Sequence, residues 1–141
     1  MLRTERTNVP SQISRLAQMT SINSALEVDL YDQANASYVN GKIYSGIGGS
    51  TDFIVGALHS RGGKSFVALP SWHPMANVSA IVPHIKTSVT HFQHSYVVTE
   101  QGIATCFGRT QKTQARNIIE NAAHPSVREE LTAMATESGL L

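Results

Sequence analysis

The segment KSFVALP, residues 64–70, limits the possible folds of this chain more than any other. Phe66, Val67, Ala68 and Leu69 follow one another with no polar alternation, the pattern of a strand covered on both faces. HSYVVTE, residues 94–100, is a second strand of that kind. Such strands belong inside a sheet with helices packed on it.

The flanking segments give the rest of the order. Residues 1–7 are charged and read as a flexible lead-in. Pro10 opens a helical stretch with Asn8 as its cap, and Ile13, Leu16, Ala17 and Ile22 recur on one face through about Ile22. SALEVDLY, 24–31, alternates like a half-buried strand, with Ala25, Glu27 and Asp29 opposite Leu26, Val28 and Leu30. ASYVNGKIY, 36–44, reads as a hairpin because Asn40-Gly41 is the strongest two-residue turn signal. DFIVGALHSR, 52–61, reads as a short helix with Phe53, Ala57 and Leu58 on its apolar face, ended by Gly62-Gly63. SWHPMAN, 71–77, is a loop, and VSAIVPHI, 78–85, is a strand that Pro83 confines to an edge or end. A helix starting near Thr110 buries Ala115, Ile118, Ile119 and Ala122. Pro125 then opens another, with Ser126 and Glu129 as a capping box, a face of Val127, Leu131 and Met134, and a stop at Gly139. This order predicts one α/β or α+β domain over 8–141 with a mixed sheet.

Composition narrows the function. The 141 residues carry a formal charge of +1, with 15% charged residues, so nothing favours nucleic acid or an acidic membrane surface. No apolar run approaches the roughly 18 residues of a membrane span, and the polar N-terminus is not a signal peptide. One cysteine excludes an internal disulfide, and the expected compartment is the cytoplasm.

YSGIGGSTDF, 44–53, holds Gly46, Gly48 and Gly49 between a strand and a helix. Bare backbone at a helix N-terminus suits an anion or an oxyanion, through unpaired N–H groups and the positive dipole end. The same stretch also suits a tight turn capped by Ser50, Thr51 or Asp52, and it is neither the dinucleotide glycine motif nor a P-loop. Glu100 ends a strand of the sheet, where ligand crevices form in α/β proteins, or else it caps a turn. Trp72 and His73 line a cleft or cover the core. Glu27 and Asp29 share what reads as a solvated strand face. His91 and His94 have no third ligand at convincing spacing and read as surface or structural histidines, so no metal is expected. Cys106 reads as a buried structural cysteine.

Several of these pieces resemble a known family. INSALEVDLYDQANASYVNG, YSGIGGSTDF, GGKSFVALPS, SAIVP, YVVTEQGIA and ARNIIENAAHPSVREEL have the order and spacing of the C-terminal domain of the acetyl-CoA hydrolase/transferase family, from about Thr7 to Leu131. The resemblance implies an α/β fold of CoA-transferase type, with a mixed, largely parallel sheet flanked by helices. It implies a reaction in which a glutamate carboxylate attacks an acyl-CoA thioester and carries CoA as a glutamyl thioester to an acceptor carboxylate. It implies that Gly48 or Gly49 donates to the oxyanion, that Asn8 lies at the site's edge and that Glu100 lies near the CoA and the catalytic carboxylate. Gly46, Ser50 and Ser71 then fall on the CoA side. The substrates implied are acyl-CoA and a small carboxylate, with coenzyme A as substrate.

The departures are as informative. The nucleophilic glutamate of the family lies upstream of the matching region, so it is expected on a missing N-terminal domain, in cis or in trans. The isolated chain is then expected to be inactive, and its uncovered face to favour a homo-oligomer. The family's Ser-Thr-Ala-Lys loop is replaced by Ser71, Trp72, His73 and Pro74, and its Asp-Leu-Arg-Gly by Thr105, Cys106, Phe107 and Gly108. These changes motivate the alternative of a non-catalytic acyl-CoA or anion-binding module.

Overall fold

The computed structural model describes residues 2–89 and 93–141. Its centre is a four-stranded sheet in the order β1 (Thr20–Ser24), β6 (Lys64–Ala68), β10 (Tyr96–Thr99), β11 (Gly102–Thr105). The first three strands are parallel, and β11 returns antiparallel to β10 through the turn at Glu100 and Gln101. A second, three-stranded sheet joins β3 (Ala34–Asn35), β2 (Glu27–Asp29) and β9 (Ile81–Val82). Two hairpins complete the strands: β4 (Tyr38–Val39) with β5 (Lys42–Ile43), and β7 (Trp72–His73) with β8 (Val78–Ser79). The helices are α1 (Thr4–Thr7), α2 (Pro10–Ile13), α3 (Ser50–His59), α4 (Gln111–Asn121) and α5 (Arg128–Glu137), the last entered through a 3₁₀ turn at Pro125–Val127. The fold is thus α/β, with a largely parallel sheet and flanking helices.

The main core lies between one face of the large sheet, the small sheet and the helices α4 and α5. Val67, Val97 and Ala104 of the large sheet cluster with Val28, Leu30 and Ile81 and with Ile118, Ile119 and Leu131 of the helices. The predicted face of α4 is the buried one, and Thr110 caps that helix by accepting the Thr113 N–H. The Asn40-Gly41 hairpin also forms, with both residues at positive φ, 51° and 73°. Gly139 ends α5 at φ 73°.

Other expectations change. The N-terminal helix stops at Ile13, and Ile22 lies on β1, because pairing from Thr20↔Lys64 to Ser24↔Ala68 overrides the helical spacing. Asn8 ends the one-turn helix α1, and Val9 occupies the N-cap of α2. The strand β6 alternates after all: Ser65 and Val67 are buried, while Phe66 and Ala68 are partly exposed. The segment 24–31 shortens to β2, and Asp29 is fully buried rather than solvated. Its Oδ1 accepts the N–H groups of Tyr31 (3.0 Å) and Gln33 (2.9 Å), and its Oδ2 accepts those of Gln33 Nε2 (2.8 Å) and Ile85 (3.1 Å). Four donors replace the water that the carboxylate gives up. Residues 71–77, expected as a loop, form half of the β7–β8 hairpin, with Asn77 at φ 52° in its turn. Buried positions on α3 are Ile54, Gly56 and Ala57, and its C-cap is Ser60, with the glycine turn two residues later. On α5 Ala135 is buried while Met134 is exposed, and His124 rather than Ser126 caps the preceding turn.

Candidate functional site

The parallel strands β1, β6 and β10 all end at one edge of the sheet. Helix α3 leads back into β6 and packs on β1 and β6, so its first turn points to that same edge. The glycine loop enters this turn with Gly49 as N-cap, and no side chain caps the helix. The first-turn N–H groups therefore keep their donor capacity and their share of the helix dipole.

The glycines of this loop are not there for their dihedral angles. None of Gly46, Gly48 and Gly49 is among the residues at positive φ; Gly49 itself has φ −87°. A β-carbon at position 46 or 48 would meet nothing within 4 Å. A β-carbon at position 49 would overlap the side-chain amide of Asn8. The Asn8 side chain thus lies against the loop, and its sequence-predicted capping role is absent. Gly46, Gly48, Ser50 and Thr51 line a cavity of about 460 Å³, closed on other sides by Asn35 and Tyr38 of the β3–β4 region. Another depression, of about 560 Å³, between α4 and α5, with Glu120, Arg128 and Glu129 on its walls, contains none of the loop's residues. The loop cavity is the candidate site, because the bare backbone of Gly46 and Gly48 and the first helical residues Ser50 and Thr51 border it.

Glu100 and Ser71 form a second cluster at the same strand ends. The Ser71 hydroxyl donates to Glu100 Oε1, the Ser71 N–H donates to Oε2 at 2.9 Å, and Gln101 Nε2 donates to Oε1 at 3.2 Å. The Ser71 hydroxyl is the main reason that the carboxyl pKa falls to about 2; desolvation opposes it, and the N–H bonds assist. Glu100 is exposed and held ionised, whereas Ser71 is fully buried. Ser71 therefore positions Glu100 instead of presenting its own hydroxyl outward. Asn8 meets Gly49, and Ser71 meets Glu100; the cavity wall contains the loop but neither Glu100 nor Ser71.

The remaining candidates among the described residues contact other groups of the chain. His94 is buried, with Nδ1 2.8 Å from Asp32 Oδ1 and its N–H donating to Oδ2 at 2.7 Å. His91 lies outside the described residues. No group of three metal-ligating side chains occurs among the described residues. Cys106 is buried, and burial, aided by the charge of Asp32, pushes its thiol pKa up. Trp72 is partly buried against the His124 ring at 5.2 Å, and His73 Nε2 lies 2.6 Å from the Leu26 carbonyl. No helix among the described residues is long and apolar enough to cross a membrane.

Asn35 is the site residue that the sequence did not announce. It is buried in the cavity wall; its Oδ1 accepts the N–H groups of Ser37 and Tyr38, and its Nδ2 donates to Glu27 Oε1. The only local sign is an Asn two residues before a Ser, an Asx-turn signal too common to single it out.

The sequence pattern of the acetyl-CoA hydrolase/transferase C-terminal domain matches residues 1–135. The chain belongs to the acetyl-CoA hydrolase/transferase family. It is 41% identical over 128 residues to the 4-hydroxybutyrate coenzyme A transferase of Clostridium kluyveri, a match that covers 88% of this chain and 30% of that protein. It is 36% identical to the acetyl-CoA hydrolase of Yarrowia lipolytica, over 93% of this chain and 25% of the relative. The crystal structure of RipA from Yersinia pestis superposes with a TM-score of 0.87 at 38% identity, over 95% of this chain and 31% of RipA. The chain thus spans about a third or less of the length of the relatives it matches, and what it matches is their C-terminal domain.

Proposed function

We propose that this chain forms the oxyanion and CoA side of an acyl-CoA:carboxylate CoA-transferase or acyl-CoA hydrolase site, completed by a domain that carries the nucleophilic glutamate. The observation that carries this reading is the glycine loop. Its glycines at 46 and 48 have neither a positive φ nor a packing contact to require them, and they border a cavity at an uncapped helix N-terminus. Close approach of a ligand to bare backbone is the physical reason that remains.

The chemistry follows from what such a loop can do. Attack of a carboxylate oxygen on the thioester carbon puts negative charge on the carbonyl oxygen. N–H groups at Gly48 and Gly49 and the α3 dipole stabilise that charge as it forms. Collapse expels the CoA thiolate and leaves an anhydride. The thiolate then attacks the glutamyl carbonyl, releases the acyl carboxylate and forms the glutamyl thioester, from which an acceptor carboxylate takes up the acyl role in reverse order. The same donors serve each tetrahedral stage. Asn8 holds the edge of the loop, Gly46 and Ser50 line the CoA side, and Glu100, fixed by Ser71, is an acceptor for the N–H or O–H groups of the bound thioester. Water in the assembled cleft diverts the glutamyl thioester to hydrolysis, so transfer against hydrolysis depends on how the partner domain closes over it. The expected compartment is the cytoplasm.

Acyl-CoA binding tests the loop directly. Butyryl-CoA titrated against the 141-residue chain should shift the amide resonances of residues 46–51. Gly48→Leu fills the cavity from a position with open space and should weaken binding about tenfold with the fold intact. Gly49→Ala should displace the Asn8 amide and weaken binding as well. Binding that leaves residues 46–51 unperturbed would contradict the reading.

A further inference from the structure

The β4–β5 hairpin borders the candidate cavity, and its register decides which side chains stand together there. Tyr38 pairs with Ile43 and Val39 with Lys42, so Tyr38 and Ile43 are neighbours on one face of the hairpin. Both line the cavity. Asn35 fixes that face. Its Oδ1 accepts the Tyr38 N–H at 2.8 Å, and its Nδ2 donates to the Tyr38 carbonyl at 2.9 Å. One buried amide thus holds both backbone groups of Tyr38, and it is itself held by Glu27 Oε1 of β2 at 2.8 Å. Ile47, inside the glycine loop, adds a third large apolar side chain to the lining. Ile43 is 73% exposed and Ile47 90% exposed, so water covers two branched aliphatic side chains beside the cavity. Exposed apolar side chains that cluster at a cavity mark a ligand groove, whereas scattered ones need no explanation.

We infer that the Tyr38–Ile43 face of the hairpin, together with Ile47, receives the acyl chain of an acyl-CoA and selects an uncharged chain of butyryl length over acetyl and over succinyl, an inference that rests on the function proposed above. The placement follows from the thioester. When its carbonyl oxygen is at the N–H groups of Gly48 and Gly49, the carbonyl carbon carries two arms, the CoA thiol and the acyl chain. Gly46 and Ser50 take the first arm, and the apolar side chains remain for the second. An acetyl group ends one carbon beyond the carbonyl and covers little of them. A butyryl chain adds two methylenes, and each one buried strengthens binding about fourfold. A succinyl chain is as long as butyryl but ends in a carboxylate. Against Tyr38, Ile43 and Ile47 that charge would shed water, and the lining holds no cation among the described residues to replace it. Because Asn35 holds the hairpin at its base, the face is set before the ligand arrives.

Calorimetry of acetyl-, butyryl- and succinyl-CoA against the 141-residue chain tests the inference. Butyryl-CoA should bind about tenfold more tightly than either of the others. Nuclear Overhauser contacts should link its terminal methyl to the Tyr38 ring and the Ile43 methyls in the wild type, a readout that needs no variant. Ile43→Ser and Ile47→Ser should each reduce the preference for butyryl by about threefold or more, and Met75→Ser, exposed on the β7–β8 hairpin, should leave it unchanged. Equal affinity for the three thioesters, with the resonances of residues 46–51 shifted by each, overturns the inference and leaves the proposed function standing. A preference for butyryl without contacts to Tyr38 or Ile43 does the same, as does tightest binding of succinyl-CoA. Absence of binding by all three overturns the inference and the proposed function together.

Discussion

Replacing Glu100 by Gln keeps the shape of the side chain and removes a charge that the fold holds in place. Its pKa of about 2, against the ordinary 4.5, corresponds to about 3 kcal/mol of preference for the ionised form in the folded chain. Glu100 is exposed, so solvent screening reduces the effect on stability to about 1 kcal/mol. The sign is that of a depressed carboxyl. The contribution is complete above pH 4.5 and is lost as pH falls through about 2. Urea unfolding of the wild type and Glu100→Gln should therefore differ by about 1 kcal/mol at pH 7, and the two curves should converge towards pH 2. In a Ser71→Ala background the same substitution should cost less than half as much, because the Ser71 hydroxyl is the main cause of the shift. A difference that is constant from pH 7 to pH 2, or unchanged by Ser71→Ala, would show that the Ser71 hydroxyl does not hold the Glu100 charge.

Two further outcomes follow from buried polar groups. Asp29→Ala leaves the N–H groups of Tyr31, Gln33 and Ile85 without their acceptor and should lower stability by about 3–5 kcal/mol in denaturant unfolding; a loss below 1 kcal/mol would show that the turn reorganises at little cost. Cys106 should resist an aromatic disulfide reagent in native buffer at pH 8 and react at once in denaturant, since burial and Asp32 both disfavour its thiolate; fast native labelling would show local opening beside β11.

Local signals were enough where the structure is local. Asn40-Gly41 sets its own turn, the α4 stripe sets its own buried face, and the glycine loop marks a strand-to-helix entry whatever surrounds it. The readings that changed depend on partners distant in sequence. Ile22 has acceptable helical spacing, but its backbone pairs with Phe66, forty-four positions on, and that pairing makes it a strand residue on an open face. Asp29 looks solvated by alternation, yet the Ile85 N–H that helps to bury it comes from a crossover fifty-six residues away. At the site, Glu100 is legible as a strand-end residue, while its hydrogen bonds with Ser71 depend on the β6–β10 pairing. Asn35 joins the cavity wall through an ordinary turn, and no spacing rule would have picked it.

On the proposed function, this chain holds the oxyanion side of a CoA-transfer site and another domain holds its nucleophile. Acetyl-CoA turnover with 4-hydroxybutyrate as acceptor, measured for the chain, for the N-terminal portion of the C. kluyveri relative and for their mixture, tests it most directly. Neither part alone should transfer CoA, and the mixture should, with the rate lost when Gly48→Leu replaces the wild-type chain. Turnover by the chain alone that survives removal of every other protein and is lost in Gly48→Leu would contradict the account, because the attacking carboxylate would then have to lie within these residues.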